Sequence, residues 1–185
     1  MNERKKILFI CHGNICRSPM AEFVMQHLVR QSQLAEHYQI ASAATSWEQI
    51  GNPIYPPAAA KLKEQGITFS RTRQAQPLKL SDYAEYDLLV CMDGENVFNA
   101  NRFFSGDPDA KIHLLLDYTN TPGREVADPW YSGDFEAAYR DIMAGCQGLL
   151  CFLEGWETLP EPEPAEPLPK PQARSLPRWA RYRIK

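Results

Sequence analysis

Two side chains six positions apart, Cys11 and Arg17, carry the chemistry most legible in this chain. A thiol becomes a nucleophile when its surroundings favour the thiolate, and a helix N-terminus does this because its free N–H groups and positive dipole end attract negative charge. Arginine supplies a planar fork that holds two oxygens of one phosphoryl group, which a lysine point charge cannot do. The residues between them, His12-Gly13-Asn14-Ile15-Cys16, and the Ser18-Pro19 that follows, suit a tight loop. Asn14 tolerates a left-handed turn better than most residues. The expected chemistry is phosphoryl transfer to sulfur inside a ring of backbone amides. A nucleotide loop of the Gly-Lys-Ser/Thr kind is excluded, since the chain has Cys-Arg-Ser at that point.

Elements able to position this loop lie on both sides of it. Residues 7–10 are an uninterrupted apolar run, as in a strand buried on both faces. Apolar residues then recur at helical spacing through Met20, Phe23, Val24 and Leu28, predicting a helix over 17–31. Further strands are predicted over 39–43, 87–92 and 111–116, and helices over 58–65, 96–104 and 135–154. Alternating strands and helices imply a parallel, doubly wound α/β sheet with helices on both faces, whose strand carboxyl ends gather Cys11, Ser42 and Asp93 at one edge.

The loop as a whole, Cys-x-Gly-Asn-x-Cys-Arg-Ser-Pro, resembles the signature of the low-molecular-weight protein tyrosine phosphatases, and the likeness covers about residues 5–154. The resemblance implies a three-layer fold on four parallel strands in the order 2-1-3-4. It implies hydrolysis of phosphotyrosine in proteins through a cysteinyl-phosphate at Cys11, with the loop amides of residues 12–16 and Arg17 holding the phosphoryl oxygens. Ser18 then donates to the Cys11 sulfur, and Ser42 matches the serine that supports Asn14. Asp128, in Asp128-Pro129-Trp130-Tyr131, matches the general acid; taken alone, Asp-Pro is an ordinary turn initiator. Trp47, Trp130 and Tyr131 are expected as walls of the substrate site. Asp93 is either an ordering residue for the pocket loops or a plain helix cap. The segment 67–76 lacks the family's histidine, and Arg71 stands about where it would be. No cofactor or metal is implied, because Arg17 and oriented amides supply the positive field. Cys16 is either a resolving thiol that forms a disulfide with an oxidised Cys11 or a packing residue.

Neighbouring chemistries on the same scaffold remain as alternatives. Arsenate reductases relay electrons through further cysteines, and Cys91 has no close partner in sequence. Protein-arginine phosphatases carry a threonine where Ile15 stands, and Ile15 with the aromatics suits a flat ring. A phosphate-binding module without turnover is the third alternative, and the intact Cys11, Arg17 and Asp128 speak against it.

Composition bounds the rest. The 185 residues, 44 % hydrophobic, suffice for one core. A net charge of −3 gives no reason to expect nucleic acid, no apolar run is long enough for a membrane span, and the first residues have no secretory pattern. Five cysteines without Cys-x-x-Cys fit a reduced, cytoplasmic enzyme. We therefore expect a catalytic domain over 1–155 and a tail over 156–185. The tail begins as a Pro/Glu/Ala spacer and ends in a basic, aromatic stretch from Arg174 to Lys185, with the composition of a disordered segment. The basic end suits an acidic partner or an anionic surface, and catalysis on small substrates should not need it.

Overall fold

The computed structural model describes residues 4–160. Four parallel strands form one sheet in the order β2-β1-β3-β4: β1 is Lys5–Cys11, β2 Tyr38–Ala44, β3 Leu88–Cys91 and β4 Ile112–Leu114. β1 is central, and its side chains alternate between two cores as the two-residue period of a strand requires. Ile7, Phe9 and Cys11 enter one core with Val24, Leu62, Ile142 and Leu149. Leu8 and Ile10 enter the other, with Leu89, Cys91 and Ala100. Helices α1 (Arg17–Gln31), α2 (Pro56–Glu64) and α6 (Phe135–Glu154) therefore cover one face. Helix α4 (Gly94–Phe104), with the short α3 (Asp82–Glu85), covers the other. The short α5 (Pro129–Ser132) precedes α6.

The differences from expectation have local causes. The strand predicted over 111–116 stops at Leu114, because Leu115–Tyr118 turns into a 3-10 helix that buries Leu115 and Leu116. An apolar run alone does not distinguish these outcomes. The helix predicted from Asn96 starts at Gly94, since the Asp93 carboxylate accepts from Asn96 N at 2.7 Å and caps it. The turn Leu115–Tyr118 packs closely on α6, where a Cβ added to Gly148 would meet the Tyr118 carbonyl oxygen at 1.9 Å. At the far end, Glu154 accepts from Lys5 Nζ at 2.9 Å and from the Tyr38 hydroxyl. Trp156 and Leu159 pack against the larger core. The expected spacer beyond Pro160 and the basic end lie outside the described residues. Among the described residues no helix is long and apolar enough to cross a membrane.

Candidate active site

The loop between β1 and α1 is fixed from outside. Thr45 N donates to Cys11 O and Ser46 N to His12 O, both at 3.0 Å, so the chain leaving β2 follows the loop leaving β1. Tyr55 N donates to Ile15 O at 2.9 Å. Helix α1 begins at Arg17 with no side-chain cap, leaving its first N–H groups free for an anion in the loop. Asn14 is fully buried with φ 56°, the left-handed geometry expected of it. Its backbone N–H donates to Cys11 Sγ at 3.2 Å, and Ser18 Oγ lies 3.0 Å from the same sulfur. A thiolate at this position has two hydrogen-bond donors within reach.

Beneath the loop runs a polar network that only in part follows the expectation. Asn14 Nδ2 donates to Ser42 Oγ at 2.9 Å and to Ser18 Oγ at 2.8 Å. Arg73, rather than the exposed Arg71, reaches the loop. Its guanidinium donates to Asn14 O at 2.6 Å, to Asn14 Oδ1 at 2.5 Å and to Ser42 Oγ at 2.8 Å. Glu22 accepts from Ser42 Oγ at 2.5 Å and stands 3.8 Å from Arg73 Nε. Burial raises the Glu22 pKa above the usual carboxylate value, against the lowering effects of Ser42 and Arg73. Sequence places Arg73 in the altered stretch Arg71-Thr72-Arg73-Gln74 of the segment 67–76 without giving it a role, and it does not single out Glu22. The available signal was the spacing Ser18, Glu22, Gln26, which stacks three polar side chains on one face of α1.

The catalytic candidates converge above the loop. Arg17, only 4 % exposed, donates through Nη1 to Asp93 Oδ2 at 2.6 Å and through Nη2 to Asp128 Oδ2 at 2.8 Å. Burial alone would lower its pKa, but the facing Cys11, Asp128 and Asp93 outweigh that and raise it. Asp93 thus caps α4, one of the two readings the sequence left open, and also bonds Arg17. The other Asp128 oxygen accepts from Trp130 N at 3.0 Å and caps α5. The Cys16 thiol is buried, and burial, with the nearby Cys11 and Asp128, pushes its pKa up to about 12.

These groups line a cleft of about 280 Å³ together with His12, Gly13, Ile15, Trp130 and Tyr131. Trp130 is half exposed and packs on Tyr55, with ring centroids 5.1 Å apart, while Tyr131 is 87 % exposed. Trp47 is 71 % exposed and does not line the cleft; its loop contributes Glu48 and Gln49 there. A tryptophan on this loop is compatible with either position, and here the next two residues line the cleft in its place.

A thiol at the foot of an anion cradle, an arginine fork beside it and a carboxyl group on that same fork, all at the carboxyl edge of a 2-1-3-4 parallel sheet, define a cysteine-dependent phosphatase. Comparison with known proteins narrows the class. Residues 6–161 match the family Low molecular weight phosphotyrosine protein phosphatase. A human protein of that name is 37 % identical over 150 residues, covering 79 % of this chain and 94 % of the relative. The crystal structure of YfkJ from Bacillus subtilis superposes with a TM-score of 0.79 at 32 % identity, covering 83 % of this chain and 96 % of that one. A low molecular weight protein tyrosine phosphatase from Streptococcus pyogenes superposes with a TM-score of 0.73 at 38 % identity, covering 80 % and 93 %. The chain belongs to the low molecular weight phosphotyrosine protein phosphatase family and is a protein-tyrosine-phosphatase.

Proposed function

We propose that Cys11 is the nucleophile, Arg17 and the amides of residues 12–16 the phosphoryl cradle, and Asp128 the general acid and base. The sulfur of Cys11 attacks phosphorus and forms an S–P bond as the P–O bond to the phenol breaks. Asp128 gives its proton to the departing phenolate oxygen. Water then attacks phosphorus, Asp128 takes a proton from it, the S–P bond breaks, and inorganic phosphate leaves with the thiolate restored. The observation that carries this reading is the Arg17 guanidinium bonded to Asp93 and Asp128 at the mouth of the loop that holds Cys11. An entering phosphoryl dianion competes with Asp128 for Nη2, so substrate binding frees the carboxyl group to carry a proton.

Phosphotyrosine in proteins is the substrate class this cleft fits. Ile15 and Trp130 offer apolar surface to a flat ring. An electron relay as in arsenate reductases has poor support, since Cys91 and Cys146 are enclosed in the cores, where burial pushes both thiols well above their ordinary pKa. All five cysteines are free, in keeping with a reducing cytoplasm. The test is hydrolysis of matched phosphotyrosyl, phosphoarginyl and phosphoseryl peptides in EDTA. Preference for the phosphotyrosyl peptide, abolished in Cys11→Ser, is expected. Preference for phosphoarginine, or dependence on added metal, would overturn the assignment.

A further inference from the structure

The mouth of the cleft carries charges that the chemistry at Cys11 does not use. Four carboxylates and one arginine line the cleft. Arg17 engages Asp93 and Asp128, which leaves Glu48, on the loop after β2, and Glu95, in the first turn of α4, both in exposed positions. His12 Nε2 lies 3.5 Å from the Glu48 carboxylate, and Glu95 has no ion-pair partner among the described residues. A phosphoryl dianion passing these two carboxylates is repelled by both. They become favourable only when the substrate brings a cation beside its phosphoryl group.

The sheet order sets where the two carboxylates stand. β2 and β3 lie on either side of β1, whose end carries Cys11, so the loop after β2 and the helix start after β3 border the cleft from opposite sides. Neighbouring strands are ~5 Å apart, which puts these two flanks ~10 Å apart. An extended peptide turns every second side chain to the same face, at intervals of ~7 Å. With a phosphotyrosine ring inserted toward Cys11 and the peptide crossing the mouth from one flank to the other, its second neighbours in both directions face the enzyme, one beside each carboxylate. Trp130, half exposed, and Tyr131, 87 % exposed, line the same cleft with open ring faces. Arginine is the side chain such a rim takes best, because it pairs with carboxylates and stacks on indole and phenol rings. The wider field has the same sign, since residues 1–160 carry 20 acidic and 14 basic side chains.

We infer that Glu48 and Glu95 determine specificity, selecting phosphotyrosyl segments that carry arginine on both sides of the ring and rejecting those with acidic neighbours. This selection rests on the phosphotyrosine reading of the cleft. Each carboxylate reads one side of the peptide, Glu48 from the β2 flank and Glu95 from the α4 flank. Both pairs form at an exposed rim, so each contributes only about two- to fivefold, and discrimination comes as much from repulsion of acidic neighbours as from attraction of basic ones.

The test uses the full chain and phosphotyrosyl peptides identical except for Arg or Glu at the second residue on each side of the phosphotyrosine. The readout is the ratio of kcat/KM between the Arg/Arg and Glu/Glu peptides, taken within each variant so that any change in basal turnover cancels. The ratio should be about tenfold or more in the parent, fall to about twofold or less in the double variant Glu48→Gln, Glu95→Gln, and fade at ~0.5 M salt, where charges are screened within a few ångströms. Glu48→Gln alone should remove the preference on one side of the peptide and Glu95→Gln alone that on the other. A parent ratio below about twofold, or one that survives the double variant or high salt, would overturn the proposal; loss of both preferences in one single variant would overturn the two-sided placement. A second measurement needs no turnover: fluorescence anisotropy of the same peptides, labelled, with Cys11→Ser, where the Arg/Arg peptide should bind more tightly and the double variant should erase the difference. Absence of hydrolysis of every peptide and of a small aryl phosphate would count against the phosphatase reading, and the anisotropy would still decide the role of the rim.

Discussion

Replacing Arg73 by Met should cost this enzyme both stability and rate, although Arg73 touches no substrate. Its guanidinium supplies the donors to Asn14 O at 2.6 Å and to Ser42 Oγ at 2.8 Å and shares Asn14 Oδ1 with Gln76 N. Methionine keeps much of the volume and removes every donor. Asn14 is fully buried, so its carbonyl oxygen is left without a partner, while Oδ1 keeps Gln76 N at 3.0 Å. One orphaned buried acceptor and the lost charge-assisted bonds come to about 2–4 kcal/mol after allowing for what Glu22 recovers by taking a proton. The kinetic effect follows from Asn14 N–H on the Cys11 sulfur. A loop displaced by ~1 Å lowers kcat/KM by roughly a hundredfold. The loss of stability also depends on pH. Burial raises the folded pKa of Glu22, so its favourable contribution is full below the ordinary carboxylate range and is lost as pH rises through the folded value. Removing the cation that counters burial enlarges this effect, and Arg73→Met should therefore be more destabilised at pH 8 than at pH 5. Urea unfolding at the two pH values, with kcat/KM on a small aryl phosphate, provides the measurement. Arg73→Lys should recover only part, because an ammonium group cannot reproduce the fork. Stability within about 0.5 kcal/mol of the parent, with kcat/KM essentially unchanged, would show that the loop holds its shape without Arg73.

Asp128→Ala should slow aryl phosphates with poor leaving groups by about a hundredfold or more and good ones far less; an equal loss across the series, or one matched by the α6 cap variant Asp134→Ala, would remove Asp128 as the acid. After brief peroxide treatment, mass spectrometry should find a Cys11–Cys16 disulfide. Its closure should accelerate with pH, because burial holds the Cys16 thiol up to about 12 and its thiolate is scarce at neutrality; only sulfinic acid at Cys11 would refute this. Gly148→Ala should destabilise by about 1–3 kcal/mol despite alanine's helix propensity, since the new Cβ meets the Tyr118 backbone and no side chain can give way. An unchanged urea midpoint would show that α6 shifts freely.

Cys11 to Pro19 was legible because a loop that binds an anion through its backbone must have particular residue types at fixed spacing, with an apolar strand before it and a helix after it. The sheet was legible from its apolar runs, residues 7–11 of β1 and the whole of β3. What lay outside reach depends on side-chain direction between segments distant in sequence. Arg73 and Arg71 differ by one turn of an irregular stretch, and only the path through Ala75 and Gln76, where Ala75 N bonds Asn52 O, decides which faces Asn14. Trp47 is a similar case: its type allowed a wall, but the turn exposes it. Leu115 and Leu116 read as strand because burial, not backbone geometry, was what their sequence encoded.

The covalent intermediate at Cys11 is the species on which the proposed chemistry depends. Rapid mixing of enzyme with an aryl phosphate, quenched in acid and analysed by peptide mass spectrometry, should find one phosphoryl group on the peptide that contains Cys11, formed with a burst of phenol close to one equivalent. No burst together with an unmodified Cys11, or a phosphoryl group on any other residue, would contradict it.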